Sequence, residues 1–353
     1  MKPWKFKRLA PAKQEQIGQI ISLAAWWALE ITKLVASLCL LFYSASNYLH
    51  SDPVDSQLEL LYGHENRMDN AMRFDISLDE PVGPRIFCLI STTKPRHGER
   101  AVPVRATWAR RCDGILFASD FKDQFLPSEA FYNKTGREYV SFKMFTAWRY
   151  VYDRYIANNN HGDHASFQWF VKADDDTFVV VENLRKLLTK MDHTKPHYMG
   201  RPLTTNKTIY HHHYVSGSMQ IFSIEALRKL VTESMPYPDL CPSPRFKANE
   251  DAFIGYCLHS VGVKIESGRD ELKRNRFMLF SPWNHLHIGA AKPNNWIWRY
   301  DKTYTEGENC CAPDAVSFHY QSGGKMLSME FLLYHLKPFG IHGSVIDEIC
   351  TIS

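Results

Sequence analysis

An α/β fold with a mostly parallel sheet is predicted by three features of the sequence. From Arg85 onward, short apolar runs alternate with segments of helical spacing, the order expected of strands joined by crossover helices. The runs RIFCLIS (85–91) and QWFVKA (168–173) are largely apolar along their length rather than alternating, as strands covered on both faces are. The second run leads straight into Asp174-Asp175-Asp176, and such sheets bind ligands beyond the carboxyl ends of their strands.

Taken in order, RIFCLIS (85–91) reads as a buried strand, VPVRATWARRC (102–112) as a helix and GILFAS (114–119) as a second strand. Residues 138–156 set Val140, Met144, Phe145, Trp148, Val151, Tyr152 and Tyr155 at helical spacing, the pattern of a helix facing the core. QWFVKA is the third strand, ENLRKLLTK (182–190) a helix and HYMG (197–200) a strand. IEALRKLVT (224–232) and NEDAFIGYCLHSV (249–261) complete the helices. Polar residues 50–84, with SDPVDSQ, HENRMDN and DEPVGP, have no sustained apolar period and read as a spacer.

The 353 residues suffice for about two domains, or for one large α/β domain with appendages. With 44% apolar and 23% charged residues, the chain is neither disordered nor collagen-like. A net charge of +4 is too small to argue for nucleic acid. The eight cysteines form no CxxC pairs, which speaks against a zinc ribbon. The abundant aromatics suit a large core and also stacking surfaces for sugar rings.

Residues 1–16 are basic, and residues 17–49 are strongly apolar apart from Glu30 and Lys33. A span near Ile31–Leu49 is long enough to cross a bilayer, with Lys33 snorkelling at its cytoplasmic end. The basic tail then stays inside and the rest of the chain is lumenal. A helix lying on a membrane, or packed in a core, is the alternative. Asn133-Lys-Thr135 and Asn206-Lys-Thr208 are glycosylation sequons, and the cysteines after Cys39 could pair in an oxidising lumen.

FVKADDDTFV (170–179) is the strongest chemical signal. Three aspartates after a buried strand need compensating charge, which a hard divalent cation supplies while keeping positions open for phosphate. An acidic turn capping the next helix is the alternative reading.

With these residues in view, the chain from about Arg85 to Leu336 resembles the core 1 β-1,3-galactosyltransferases, which act on GalNAc-Ser/Thr. The matching segments, in order, include RIFCLIST (85–92), VRATWARRC (104–112), WFVKADDDTFVVVENLRKLL (169–188), YVSG (214–217), EDAFIGYC (250–257), ESGRD (266–270), NCCAPDAVSFHY (309–320) and FLLYHLKPFG (331–340).

The resemblance implies a GT-A glycosyltransferase fold over residues 85–353, after a cytoplasmic tail (1–16), a signal anchor (17–49) and a stem (50–84). It implies Mn²⁺ held by Asp174, Asp176 and His319, with Asp175 behind them and UDP-galactose as donor. Arg105, Lys172 and Gly217 fall where the donor is bound. Asp251 matches the general base, beside Glu250, and Trp296 and Trp298 match an acceptor segment. The cysteines sit at family positions, implying Cys88–Cys112, Cys241–Cys257 and a vicinal Cys310–Cys311 bridge, with Cys350 left over.

The implied partners are glycoproteins carrying GalNAc-Ser/Thr, the UDP-sugar and the Golgi membrane in single-pass type II orientation, with a homodimer left open and no nucleic acid. Ser218, Met219 and Gln220 depart from the family's small residues after YxSG, which leaves the donor sugar open between galactose and GlcNAc or glucuronate. A catalytically silent chaperone-like homologue is a further alternative, opposed by retention of Asp174, Asp176, Asp251 and His319. The loop 202–214, with His211, His212 and His213, reads as an insert whose histidines are exposed rather than ligating.

Overall fold

A computed structural model describes residues 83–157, 167–204, 213–244 and 249–338, together with Lys33. The chain divides into two units, Met1–Leu60 and Leu61–Ser353, and every element described below belongs to the second. The expected anchor (17–49) apart from Lys33, nearly all of the stem, the Asn206 sequon, Cys39 and Cys350 lie outside the described residues. Among the described residues, no helix is long and apolar enough to cross a membrane.

Ten strands are described: β1 (Ile86–Ser91), β2 (Gly114–Ser119), β3 (Ser128–Ala130), β4 (Trp169–Asp174), β5 (Phe178–Val179), β6 (Tyr198–Thr204), β7 (His213–Ser223), β8 (Ile265–Ser267), β9 (Phe277–Met278) and β10 (Ser317–Phe318). Seven form one sheet in the order β3-β2-β1-β4-β7-β6-β8. β7 runs antiparallel to both of its neighbours, and the other pairs are parallel. The mostly parallel sheet is therefore as expected. A small second sheet, β5-β10-β9, stands beyond the end of β4.

Among the described residues of the second unit, eight α-helices accompany the strands: α1 (Val102–Ala106), α2 (Val140–Tyr152), α3 (Val181–Leu188), α4 (Ile224–Arg228), α5 (Glu250–Ser260), α6 (Pro282–Leu286), α7 (Ile297–Tyr300) and α8 (Gly324–Glu330). Alternate residues of β1 feed two apolar layers. Phe87 and Leu89 join Trp148, Phe222 and Phe253 against α2, α4 and α5, whereas Ile86, Cys88 and Ile90 join Trp108, Val171 and Leu184 on the other face. This is the period of two that a strand imposes, with both faces covered.

Two readings of the sequence change. The helix expected over 102–112 stops at Ala106 and resumes as a 3-10 turn, Trp108–Arg111. Thr107 breaks it: its hydroxyl bonds back to Pro103 O at 2.7 Å, competing with the helical path. The loop read as an insert is framed by a hairpin, since β6 runs on to Thr204 and β7 begins at His213. Gly200, at φ +150°, fits this pairing because a Cβ there would meet Met219 O at 2.5 Å.

Candidate active site

In the sheet, β4 is registered on β1 with Ser91 opposite Asp174, so the acidic triplet leaves the sheet at its carboxyl end. The three aspartates part company there. Asp175 turns inward, where it is buried and accepts a hydrogen bond from Thr92 Oγ1 at 2.8 Å. Burial outweighs that bond and pushes its carboxyl up to about 6. Asp174 and Asp176 converge on His319, with ligand atoms of the three all within 4.8 Å of one another. Two carboxylates and an imidazole suit a divalent transition metal, so these residues fit the cation that the sequence implies.

The small sheet delivers His319. β10 pairs with β5 through Phe318 and Phe178, which sets His319 beside Thr177, the last residue before β5. Thr177 Oγ1 donates to Ser218 O at 2.9 Å. Having spent its one proton, it must accept from His319 Nδ1, 3.0 Å away. That fixes the Nδ1–H tautomer and leaves Nε2 with a free lone pair. Burial, chiefly, holds the imidazole below its ordinary pKa and so neutral, the form that ligates a metal.

Lys172 ties this cluster to the start of α5. Its buried Nζ lies 2.6 Å from Asp174 Oδ1, 2.5 Å from Gly217 O and 3.3 Å from Glu250 Oε2. Burial opposes the ammonium, but Asp174 and Glu250 outweigh it and raise its pKa. The same charge helps to hold the Asp174 carboxyl below its ordinary range against burial. Expected as a donor ligand, Lys172 is instead enclosed: its three protons face protein oxygens, and it balances the acids.

At the first turn of α5, Asp251 accepts from Gly217 N–H (3.1 Å) and Ala252 N–H (2.8 Å). Burial raises its pKa in spite of these two bonds. Glu250 is also buried, and its Oε1 has no hydrogen-bond partner. Burial, opposed by Lys172 and reinforced by Asp251, pushes Glu250 up to about 7. Gly217 thus joins the two acids through its backbone, and a Cβ there would lie 3.4 Å from both Glu250 Oε2 and Lys172 Nζ.

Arg105 is not part of this cluster. It is exposed and donates to Phe125 O. Arg100 faces the triplet instead, 2.8 Å from Asp176 Oδ2 and 3.4 Å from Asp175 Oδ1, with Arg96 behind it at 3.9 Å from Asp175. Arg100 lies in the π-helical turn His97–Ala101, ahead of the segment read as a helix.

The two tryptophans also separate. Trp296 is exposed, and ring contacts run from it through Phe280 and Tyr320 to His319. Trp298 is scaffold: its Nε1 donates to Lys292 O at 3.0 Å and its ring packs edge-on against Tyr304. Met219 and Gln220 are buried in the sheet, Met219 in an apolar layer and Gln220 bonded to Tyr198 and Val215. They belong to the core, whereas Ser218 accepts from Thr177 beside the acidic triplet.

All three expected disulfides are present, Cys88–Cys112, Cys241–Cys257 and Cys310–Cys311. Asn133 is exposed, as a glycosylation acceptor must be. Of the three loop histidines, His213 is exposed and lies 2.9 Å from Thr204 Oγ1, and the other two lie outside the described residues. Arg100, Thr177 and Lys143 were not anticipated. Lys143 is a buried lysine of α2 with Nζ 2.5 Å from Thr92 O, lowered to about 8 by burial. Helical periodicity registers only apolar positions, so a lysine among them gives no signal.

Comparison with known proteins agrees with this geometry. A family profile described as Fringe-like matches residues 83–269. The chain is 31% identical over 259 residues to glycoprotein-N-acetylgalactosamine 3-beta-galactosyltransferase 1 of Xenopus laevis, covering 72% of this chain and 68% of that protein. It is 28% identical to a beta-1,3-glucosyltransferase of Mus musculus, over 51% of this chain and 34% of the relative. It is likewise 28% identical to the beta-1,3-N-acetylglucosaminyltransferase lunatic fringe of Gallus gallus, over 53% and 54%.

Proposed function

The chain belongs to the Fringe-like family of glycosyltransferases, and we propose that it is an inverting, Mn²⁺-dependent β-1,3-galactosyltransferase. In this reading it moves galactose from UDP-galactose to O-3 of GalNAc on Ser/Thr of glycoproteins. The observation that carries it is the pairing of Asp174, Asp176 and His319 with the acids of α5 through one buried lysine. The activity printed for the Xenopus laevis relative supports the choice of sugars. Burial of Met219 and Gln220 in the core leaves the sequence argument for a different donor resting on Ser218 alone.

A divalent cation held by Asp174, Asp176 and His319 Nε2 would supply Lewis-acid stabilisation of the departing diphosphate. Arg100 and Arg96 add positive charge on the same side. Asp251 takes the proton of the acceptor hydroxyl as its oxygen bonds to the anomeric carbon and the bond to UDP breaks. One in-line displacement inverts the α-linked donor to a β-linked product. Gly217 and Ala252 N–H hold the Asp251 carboxylate, and the second lone pair of each oxygen stays open for the substrate proton. A second reading puts the base on Glu250, favoured by its unpartnered Oε1 and its raised pKa.

UDP release measured with UDP-galactose, UDP-glucose, UDP-GlcNAc and UDP-glucuronate, on a GalNAc-peptide acceptor, tests the assignment. Fastest release with UDP-galactose is expected. Faster turnover of another donor overturns the sugar, and no turnover of any favours a silent chaperone-like homologue. We further propose a Golgi type II membrane protein anchored by residues 17–49, on the strength of their apolar composition. The protein should stay with membranes in alkaline carbonate, and release into the supernatant would overturn the anchor.

A further inference from the structure

A cavity of about 960 Å³ opens at the β8 edge of the large sheet. None of Asp174, Asp176, Glu250, Asp251 or His319 lines it, so it is separate from the site above. Six arginines and lysines line it against two carboxylates. Arg201 is the innermost cation, only 3% exposed. One side of its guanidinium is spent on Asp301, with Nε 2.6 Å from Oδ2, while its buried Nη1 has no hydrogen-bond partner. A buried donor of this kind costs stability unless something accepts from it. Nearer solvent, Lys264 and Lys273 are exposed and neither makes an ion pair among the described residues.

The position of the cavity says what could fill it. Gly255 and His259 of α5 form part of its wall, one and two turns beyond Asp251. At the rise of an α-helix they lie about 6 and 12 Å along the axis from the base. Another wall is β8, paired with β6 on one side only, so its outer edge is open to an extended chain. A polypeptide whose glycosylated residue is at Asp251 would reach the cavity roughly two to four residues away, at about 3.4 Å per extended residue.

We infer that this cavity is a second acceptor subsite, which binds an acidic side chain of the acceptor polypeptide near its glycosylated Ser/Thr. The inference rests on the proposed function for its acceptor but not for its binding chemistry. The carboxylate completes Arg201 Nη1 and is attracted by Lys264 and Lys273. Charge-assisted bonds of this kind carry more than a surface ion pair.

Direct binding separates this subsite from the catalytic reading. A fluorescent peptide without sugar, bearing Glu two to four residues from a central Thr, is titrated into the full chain and compared with its Gln counterpart. The Glu peptide should bind about tenfold tighter at low salt. Lys264→Glu combined with Lys273→Glu should abolish that preference and leave UDP affinity and melting temperature unchanged. Both changes keep unbranched side chains at exposed positions, Lys273 at φ +63°. With GalNAc-Thr peptides, the same Glu should lower KM and leave kcat unchanged. Equal affinity for the Glu and Gln peptides, or a preference that survives the double variant, overturns the subsite. Stronger competition by a sulfated oligosaccharide than by the free Glu peptide overturns it in favour of an anionic glycan.

Discussion

Asp251 accepts a hydrogen bond at each carboxylate oxygen, so the proposed base is positioned by backbone rather than by a flexible side-chain partner. Asp251→Asn leaves one of its two N–H donors facing an amide, a local cost of about 1–3 kcal/mol. UDP and Mn²⁺ affinity, read by calorimetry, should barely change, while turnover falls by about 10²–10⁴. The loss should appear in kcat and kcat/KM alike. A larger loss in Glu250→Gln would move the base to Glu250, and an α-linked product would end the single-displacement mechanism.

His285 offers a test that is independent of the chemistry. Its Nε2 accepts from Phe280 N–H at 3.2 Å, and burial, then Arg201, hold its pKa down to about 4. The folded state therefore binds this proton more weakly than the unfolded chain does. Its contribution is complete above about pH 6.5 and is lost as pH falls toward 4, by up to about 3 kcal/mol. His285→Gln should flatten the acid limb of melting temperature against pH; an unchanged slope would exclude it. At this scale Asp174 and Asp176 were legible because consecutive charges after a buried strand demand a partner. Arg100 was not, because the five-residue turn His97–Ala101 that carries it is too short to show a period.

Among the elements, the small sheet matters most to the site. Thr177 links the end of the triplet to β7 through Ser218 O and to β10 through His319. Thr177→Val keeps the shape but leaves His319 Nδ1–H without that acceptor. Loss of such a supporting bond typically lowers metal affinity about 10–100-fold, which Mn²⁺ titration would register with the fold intact by circular dichroism. Unaltered Mn²⁺ affinity would mean that Thr177 does not orient the ring. Two-residue strands such as β5 and β10 lack the length to show an alternating pattern. β7 was missed for another reason: Ser216, Gly217 and Ser218 interrupt its apolar run exactly where it passes the acids, so polarity that serves the site hides the strand.

Across the molecule, a buried ion network fastens α8 to the 3-10 turn Trp108–Arg111 that follows α1. Arg111, 5% exposed, makes two hydrogen bonds to Glu330 at 2.6 and 2.9 Å, and Arg110 adds a third at 2.9 Å. The Cys88–Cys112 bridge pins the neighbouring residue to β1. Glu330→Ala leaves buried Arg111 only the longer ion pair to Glu182, at 3.4 Å, and should cost up to about 3–5 kcal/mol, seen as a lower denaturant midpoint. Glu330→Gln, which keeps one acceptor, should cost less. A midpoint within about 0.5 kcal/mol of the parent would show that the network adds little.

The sequence by itself determined the α/β class, the main parallel strands, the acidic triplet and, through family positions, the three disulfides and His319 as the candidate partner of the triplet. Each follows from residues near one another in the chain or from motifs in fixed order. Only the tertiary structure decided that Arg100 and not Arg105 faces the triplet, that Lys172 is enclosed between Asp174 and Glu250, that Trp296 is exposed while Trp298 is packed, and that a basic cavity flanks α5. The first two depend on side chains that meet across 76 residues for Arg100 and Asp176 and 78 for Lys172 and Glu250. Periodicity assigns a residue to a face, whereas burial and hydrogen bonding among distant segments determine what that residue touches there.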